Sequence, residues 1–173
     1  MEAPGPQPLL GIYLNDHLAG ATGGVQLARR LARAERNSPL GPTLARLADE
    51  VAEDRQGLLE LMAEFGIPAR QYKVAAGWVA ERVGRLKLNG RLVSRSPLST
   101  LLELELLRLG VEGKAAGWKT LKVVAAARGS ASVERLDGLI GRALEQSQTL
   151  EDLRVRTAAD VFVLSTARVK GNS

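Results

Sequence analysis

The stretch LGPTLARLADEVAEDRQGLLELMAEFG, residues 40–66, is the part of the chain that decides the predicted fold. Its apolar residues recur in alternating steps of three and four, which is the spacing of the buried face of an α-helix. One inward position of this series holds a carboxylate, Asp54, and two further acids, Glu50 and Glu53, lie beside it. The sequence therefore predicts a long amphipathic helix whose apolar seam is interrupted by acid. The apolar members of the series are Leu44, Leu47, Val51, Leu58, Leu61 and Phe65.

The composition favours an all-α protein with one domain. The 173 residues include no cysteine and only two each of Trp, Tyr and Phe, whereas Leu, Ala and Val are plentiful. A sheet protein typically has more β-branched and aromatic residues. The absence of cysteine excludes disulfides, thiolate metal sites and a cysteine nucleophile. Because we find neither a membrane-spanning apolar run nor a secretory signal, we expect a cytoplasmic protein without a membrane partner.

The same periodicity predicts four further helices. They cover residues 8–36, 70–94 and 97–127, and the last begins at Ser130 or Ser132 and continues to about residue 162. Short connections join the first helix to the second and the fourth to the fifth, which predicts two antiparallel hairpins with the 70–94 helix as the crossover. The inward series predicted for residues 97–127 is Leu98, Leu102, Glu105, Leu109, Glu112, Ala116 and Val123.

The domain expected from this pattern is a helical bundle over residues 8–168, with a disordered arm at 1–7 and a frayed tail at 169–173. Its first helix contains a run of small residues, AGATGG at 19–24. A glycine in a helix interior costs roughly 1 kcal/mol relative to alanine, so we expect a compensating interaction. Close approach of a neighbouring helix or chain would supply it, and a local kink is the alternative. From this small-residue face we predict a homodimer.

The pattern resembles the ferritin-like superfamily. The segments that carry the resemblance are LNDHLAGATGGVQLARR in the first helix, EVAEDRQGLLELMAEFG in the second and LEQSQTLEDLRVRTAADVF in the last. The resemblance implies a four-helix bundle of two antiparallel hairpins with an additional crossover helix. Di-metal proteins of this superfamily take one Glu from each of two helices and a Glu-x-x-His from each of the other two.

The ligand set implied by this resemblance is altered in the present chain. Gln26 stands where a ligating Glu is expected, Gln56 follows Glu53 by three residues, and Arg154 follows Glu151 by three residues. No histidine is present at these positions, because the single histidine of the chain is His17. We therefore predict a buried polar network in place of the metals, formed by Gln26, Asp54, Gln146 and Arg154 together with Glu105 and Glu112.

Three functions are compatible with these observations. The preferred hypothesis is a non-catalytic binding or structural module without a cofactor, which forms a homodimer and has a protein partner of unknown identity. The alternative is a carboxylate-bridged di-metal oxidase or ferroxidase that holds Fe or Mn. Its altered ligand set would be Glu50, Glu53, Glu105, Glu112 and Glu151.

The third function, nucleic-acid binding, rests on the charge of the 70–94 helix. Residues 73–95 contain six cations and one acid, Glu81, so this segment has a net charge of +5. The net charge of the whole chain is also +5. A basic helix face can bind a phosphate backbone, but the cationic arc of this helix contains no interleaved aromatic residue to stack on bases. We therefore rank nucleic acid below a protein partner. The residues of the basic face are Lys73, Lys87, Arg91 and Arg95.

Overall fold

The computed structural model describes residues 6–70 and 97–164, and within these ranges the chain is helical and contains no strand. The helices are α1 (Pro6–Ala34), α2 (Gly41–Glu64), α3 (Pro97–Ala127) and α4 (Ser132–Ala159), and a π-helical turn, Asp160–Leu164, follows α4. The predicted all-α class is confirmed. The predicted basic helix at 70–94 lies outside the described residues except for its first residue, and the predicted tail at 169–173 lies outside them entirely.

Glycines end two of the helices as the sequence leads one to expect. Gly66 follows α2 with a φ of +68°, and Gly129 follows α3 with a φ of +63°. These left-handed values cost glycine no steric clash. After α2, the amide of Ile67 donates to the carbonyl of Met62 at 2.8 Å, which satisfies one of the carbonyls left free at the helix end.

Each helix runs antiparallel to two neighbours. α1 and α2 form the first hairpin, and α3 and α4 form the second. Between the hairpins, Tyr13 near the start of α1 donates from Oη to Thr120 Oγ1 near the end of α3 at 3.1 Å. Arg30 near the end of α1 pairs with Glu103 near the start of α3 at 3.0 Å. These two contacts show that α1 and α3 run in opposite directions.

α2 and α4 are also antiparallel neighbours. Ser130, just before α4, donates to Glu64 at the end of α2 at 3.0 Å, and Gln146 donates to Glu50 further along at 3.1 Å. Because α1 is antiparallel to both α2 and α3, the helices α2 and α3 are parallel. The end of α2 and the start of α3 therefore lie at opposite ends of the bundle.

The core confirms the predicted face of α2 and corrects that of α3. Every predicted inward residue of α2 is buried, Asp54 included. On α3, however, Leu109 is 62% exposed and Val123 is 71% exposed, so the predicted inward series was wrong. Leucines surround the first half of α3, so spacing alone did not distinguish its faces. The buried residues of α3 include Leu101, Leu104, Leu107, Val111, Trp118 and Leu121.

None of the helices in residues 6–70 and 97–164 combines the length and the apolar character that crossing a bilayer requires.

Candidate functional site

A cluster of charged and amide side chains lies in the middle of the bundle; we call Asp54, Lys114, Arg142 and Gln146 the central cluster. Asp54 of α2 is 1% exposed. Its Oδ2 accepts hydrogen bonds from Lys114 Nζ of α3 and from Gln146 Nε2 of α4, the latter at 3.2 Å. Its Oδ1 accepts from the Arg142 guanidinium of α4. Both oxygens of the buried carboxylate are thus bound by the protein's own donors.

Helical spacing explains why these side chains meet. Lys114 follows Val111 by three residues and precedes Trp118 by four, so it lies on the buried face of α3. Arg142 and Gln146 are four residues apart on α4 and therefore share a face one turn apart. Because α4 packs against both α2 and α3, one turn of each helix reaches the same level as Asp54.

The cluster extends outward to two further acids of α2. Arg142 also pairs with Glu53 at 3.0 Å, and that glutamate side chain is 66% exposed. Gln146 donates to Glu50 at 3.1 Å and accepts from Lys114 Nζ at 2.5 Å. The amide of Gln146 therefore uses both its donor and its acceptor within the bundle.

The environment of Lys114 opposes its positive charge. Burial lowers the pKa of the Lys114 ammonium below its usual range, and the adjacent Asp54 carboxylate partly offsets this effect. A buried lysine is stable as a cation only when an anion compensates for its lost hydration. Asp54 supplies that compensation.

A cavity of about 660 Å³ lies beside the central cluster, between α1 and α3, with part of α2 as its floor. Asp54 and Lys114 line it together with mainly apolar side chains and glycines. Its volume falls within the roughly 300–1,000 Å³ that is typical of small-molecule sites. The apolar lining includes Leu14, Leu27, Val51, Leu58, Leu107, Val111 and Trp118.

The small-residue run of α1 forms one wall of the cavity. Gly20, Ala21, Gly23 and Gly24 line it, at the level of the central cluster. A Cβ built on Gly20 would meet no atom of the described residues within 4 Å. No neighbouring helix therefore approaches Gly20 closely, although close approach was predicted for this run. The position that a side chain would occupy is open space.

Glycines of α3 form the opposite wall. Gly110, Gly113 and Gly117 line the cavity at spacings of three and four, so they share a face. A Cβ on Gly113 would meet nothing within 4 Å among the described residues, whereas one on Gly117 would lie 2.9 Å from the His17 ring. Glycines of both α1 and α3 thus line the cavity, and Gly20, Gly110 and Gly113 among them are exposed to solvent.

His17 packs at the side of this cavity. Its ring contacts the edge of the Tyr13 ring, with the centroids 4.5 Å apart and an interplanar angle of 61°. Burial lowers the pKa of His17 below its ordinary value, and the Asp16 charge partly offsets this. His17 is therefore a packed, half-buried side chain at the edge of the cavity.

Two further donors line the cavity. Trp118 is 3% exposed, and its Nε1 atom is buried without a hydrogen-bond partner among the described residues. Arg55 of α2 donates from Nε to Thr22 Oγ1 at 3.0 Å. The cavity therefore combines a mainly apolar lining with the cationic side chains of Lys114 and Arg55.

The five predicted metal-ligating acids form two separate groups. Glu50 and Glu53 lie beside the central cluster. On the outer seam of α3 and α4, Glu112 pairs with Arg108 at 3.0 Å, Glu151 with Arg154 at 2.7 Å, and Glu105 with Arg154 at 3.8 Å. Within residues 6–70 and 97–164, no three His, Cys, Asp or Glu side chains are grouped in a way that would hold a metal ion. The donor set does not fit a di-metal centre, because cations occupy the space between the acids.

Four of the six residues in the predicted buried network are placed differently by the structure. The side chains of Glu105 and Glu112 are 43% and 44% exposed. Gln26 is exposed, because the neighbouring residues Val25, Leu27 and Ala28 take the inward positions of α1. Arg154 is 28% exposed and binds Glu151 on the surface seam rather than Asp54. The length of a hairpin predicts the level of each residue along the bundle but not its direction around the helix, so the predicted burial of these four residues was wrong, although Arg154 does pair with Glu105.

Sequence reasoning missed the two cations of the central cluster. Lys114 and Arg142 occupy inward or inward-flanking positions of α3 and α4. The signal for Lys114 was its place between Val111 and Trp118, but it required the correct face of α3. Asp54 and Gln146 do lie together, 3.2 Å apart. The basic face of Lys73, Lys87, Arg91 and Arg95 lies outside the described residues.

In comparisons with protein-family models, with curated proteins and with solved structures, the chain has no match.

Proposed function

We propose that this chain is a non-catalytic, ferritin-like helical bundle that binds a small apolar molecule between α1 and α3. The observation that carries the proposal is the cavity of about 660 Å³ with its mainly apolar lining. Closed helical bundles ordinarily fill such space with side chains, because interiors pack at crystal-like density. Here glycines on both walls leave it open, and each interior glycine costs its helix roughly 0.5–1 kcal/mol relative to alanine.

The directions of the helices support the ferritin-like part of the proposal. Two antiparallel hairpins in which α2 and α3 run parallel are typical of bundles with one long crossover connection. A carboxylate at the middle of α2, Asp54, and further acids on α3 and α4 are what a member of this superfamily would retain. A homodimer through the small-residue face of α1 and a cytoplasmic location stay predictions.

The central cluster supports the non-catalytic part. A metal ion would have to displace both Lys114 and Arg142 from the oxygens of Asp54. Two cations at ion-pair distance also repel a third, and this repulsion is strong where water is scarce. The cluster therefore supplies internally the charge compensation that bound metals would provide.

Binding of the neutral fluorophore N-phenyl-1-naphthylamine tests the proposal. The wild-type chain should bind it at one site and increase its emission. Gly20→Leu and Gly113→Leu introduce a large side chain where a Cβ meets no described atom within 4 Å, so they should fill the cavity. We expect at least about tenfold weaker binding, since filling the cavity excludes the dye from its apolar contacts.

A matched control separates cavity filling from the general effect of the substitution. Gly138 and Gly141 of α4 are exposed helical glycines whose Cβ also meets no described atom within 4 Å, and neither lines the cavity. Gly138→Leu and Gly141→Leu should leave dye binding unchanged. Equal affinities in all four variants would refute the proposed site. Near-stoichiometric Fe or Mn in the purified protein, measured by elemental analysis, would refute the metal-free interpretation.

A further inference from the structure

We propose that the natural ligand of this cavity is a single-chain apolar molecule that ends in a carboxylate, with the carboxylate at Lys114 and the chain between the glycine walls. This inference rests on the proposed function and specifies the chemical class of its ligand.

The side of the cavity formed by Lys114 offers a hydrogen-bond donor to an acceptor on the ligand. The Lys114 ammonium has three N–H groups, and described residues take two of them, at Asp54 and at Gln146. Trp118 lies four residues away on the same face of α3, and its indole N–H has no partner among the described residues. The third N–H of Lys114 has no acceptor among the described residues, so an acceptor on the ligand beside Lys114 is favoured.

The charges beside the cavity favour an anionic head over a cationic one. Both oxygens of Asp54 are already bound by cations, and Arg142 is also paired with Glu53, so an ammonium head would find no free carboxylate oxygen on Asp54. Arg55 adds a second cation to the lining. Asp16, the other acid of the lining, is exposed and therefore well solvated. A carboxylate would gain a charge-assisted hydrogen bond from Lys114, whereas an ammonium head would face two cations.

The remaining lining suits an unbranched apolar chain. Leucine and valine side chains from α1, α2 and α3 supply apolar contact, and the glycine walls let the chain approach the helix backbones. Among the described lining residues, Asp54 and Lys114 place their charged groups together on one side, and most of the others are apolar or glycine. A ligand with one polar end and an apolar body matches this division.

Competition against the bound fluorophore distinguishes the head groups without any mutation. Dodecanoate, dodecan-1-ol and dodecylamine share one chain length and present a carboxylate, a hydroxyl and an ammonium at pH 7. We expect dodecanoate to displace the dye at a concentration at least about tenfold lower than either of the others. Equal potency of the three, or a stronger effect of the alcohol or the amine, would overturn the inference while leaving the dye-binding function intact.

Substitution of Lys114 tests whether this residue causes the preference for a carboxylate head group. Lys114→Met should remove the advantage of dodecanoate over dodecan-1-ol. Lys119→Met, on the exposed side of the same helix, should retain it. If Lys114→Met does not fold, the tryptophan signal decides: in a Trp78→Phe chain, dodecanoate but not dodecylamine should change the emission of Trp118. An unchanged emission would contradict carboxylate binding at this wall. Failure of the dye itself to bind would overturn the proposed function as well.

Discussion

Replacing Asp54 by Asn is the perturbation that tests the central cluster most directly. The substitution keeps the shape of the side chain and removes its negative charge. Lys114, whose side chain is 14% exposed, then loses its only anionic hydrogen-bond partner among the described residues. Arg142 keeps its ion pair with Glu53 at 3.0 Å and is 33% exposed, so it contributes less.

The expected loss of stability is about 3 kcal/mol, the lower end of the 3–5 kcal/mol found when one partner of a buried ion pair is removed. We choose the lower end because Arg142 remains paired and Gln146 still accepts from Lys114. Urea denaturation followed by far-UV circular dichroism measures the change, with an unchanged slope against denaturant. In a chain of this size the corresponding drop in melting temperature is roughly 6–12 °C.

Asp137→Asn is the matched control. Asp137 pairs with Lys122, but the two side chains are 55% and 38% exposed, so the same substitution should cost less than about 1 kcal/mol. The double variant Asp54→Asn/Lys114→Met should recover most of the stability, because it removes the uncompensated cation as well. If Asp54→Asn costs no more than Asp137→Asn, the interpretation of the cluster as a buried charge centre is refuted.

The pH dependence of the Asp54→Asn variant has a definite sign. The pKa of Lys114 is already lowered by burial in the folded wild-type chain, and loss of the Asp54 charge should lower it further. The unfolded chain then binds more protons between this lower value and the ordinary lysine pKa of 10.5. The free energy of unfolding of the variant should therefore rise with pH through that window, and the deficit relative to wild type should shrink. A deficit that stays constant up to pH 10 would contradict this account.

Four further substitutions test the packing of α1 and α3 and the connection that follows α2. Gly117→Ala would place a Cβ 2.9 Å from the His17 ring and should lower the free energy of unfolding by about 1–3 kcal/mol. Gly113→Ala should raise it by about 0.5–1 kcal/mol. Equal effects of the two variants in urea denaturation would contradict the packing of His17. Because burial lowers the pKa of His17, the unfolded chain binds more protons than the folded chain as pH falls through 6.5. The free energy of unfolding should therefore decrease between pH 7.5 and 5, and His17→Gln should lack this decrease. Asn15 accepts a hydrogen bond from the Arg70 amide at 2.7 Å and donates one to the Pro68 carbonyl at 3.2 Å. Asn15→Ala should therefore lower the free energy of unfolding by about 1–3 kcal/mol and increase proteolysis after α2. Resistance to proteolysis equal to that of wild type would show that Asn15 does not hold this connection in place.

The sequence predicted the helices well because their boundaries depend on local chemistry. The periodic apolar series of α2 agrees with its buried face, including the inward Asp54. Gly66 and Gly129, at the predicted ends of helices, adopt the left-handed conformation that glycine permits. The register of the second hairpin was also predictable, since a short turn places Glu105 opposite Arg154, and the two lie 3.8 Å apart.

The candidate site was only partly predictable. Asp54 was recognised as an inward acid, but its cationic partners Lys114 and Arg142 were not identified. The face of α3 was ambiguous because leucines surround its first half, and Lys114 belongs to the face that the pattern did not select. For the small-residue run of α1, the sequence predicted close approach of a neighbour or a kink rather than a cavity. A glycine that lets a neighbour approach and a glycine that leaves space look the same in the sequence.

The sequence by itself thus determined that the described segments are helical, that glycines follow two of the helices and that a carboxylate faces inward on α2. Only the tertiary structure decided that Lys114 and Arg142 neutralise this carboxylate and that an open cavity lies beside it. The physical reason is that helix formation depends on neighbours along the chain. The rotation of each helix about its axis is set by packing between residues that are far apart in sequence, such as Asp54 and Lys114.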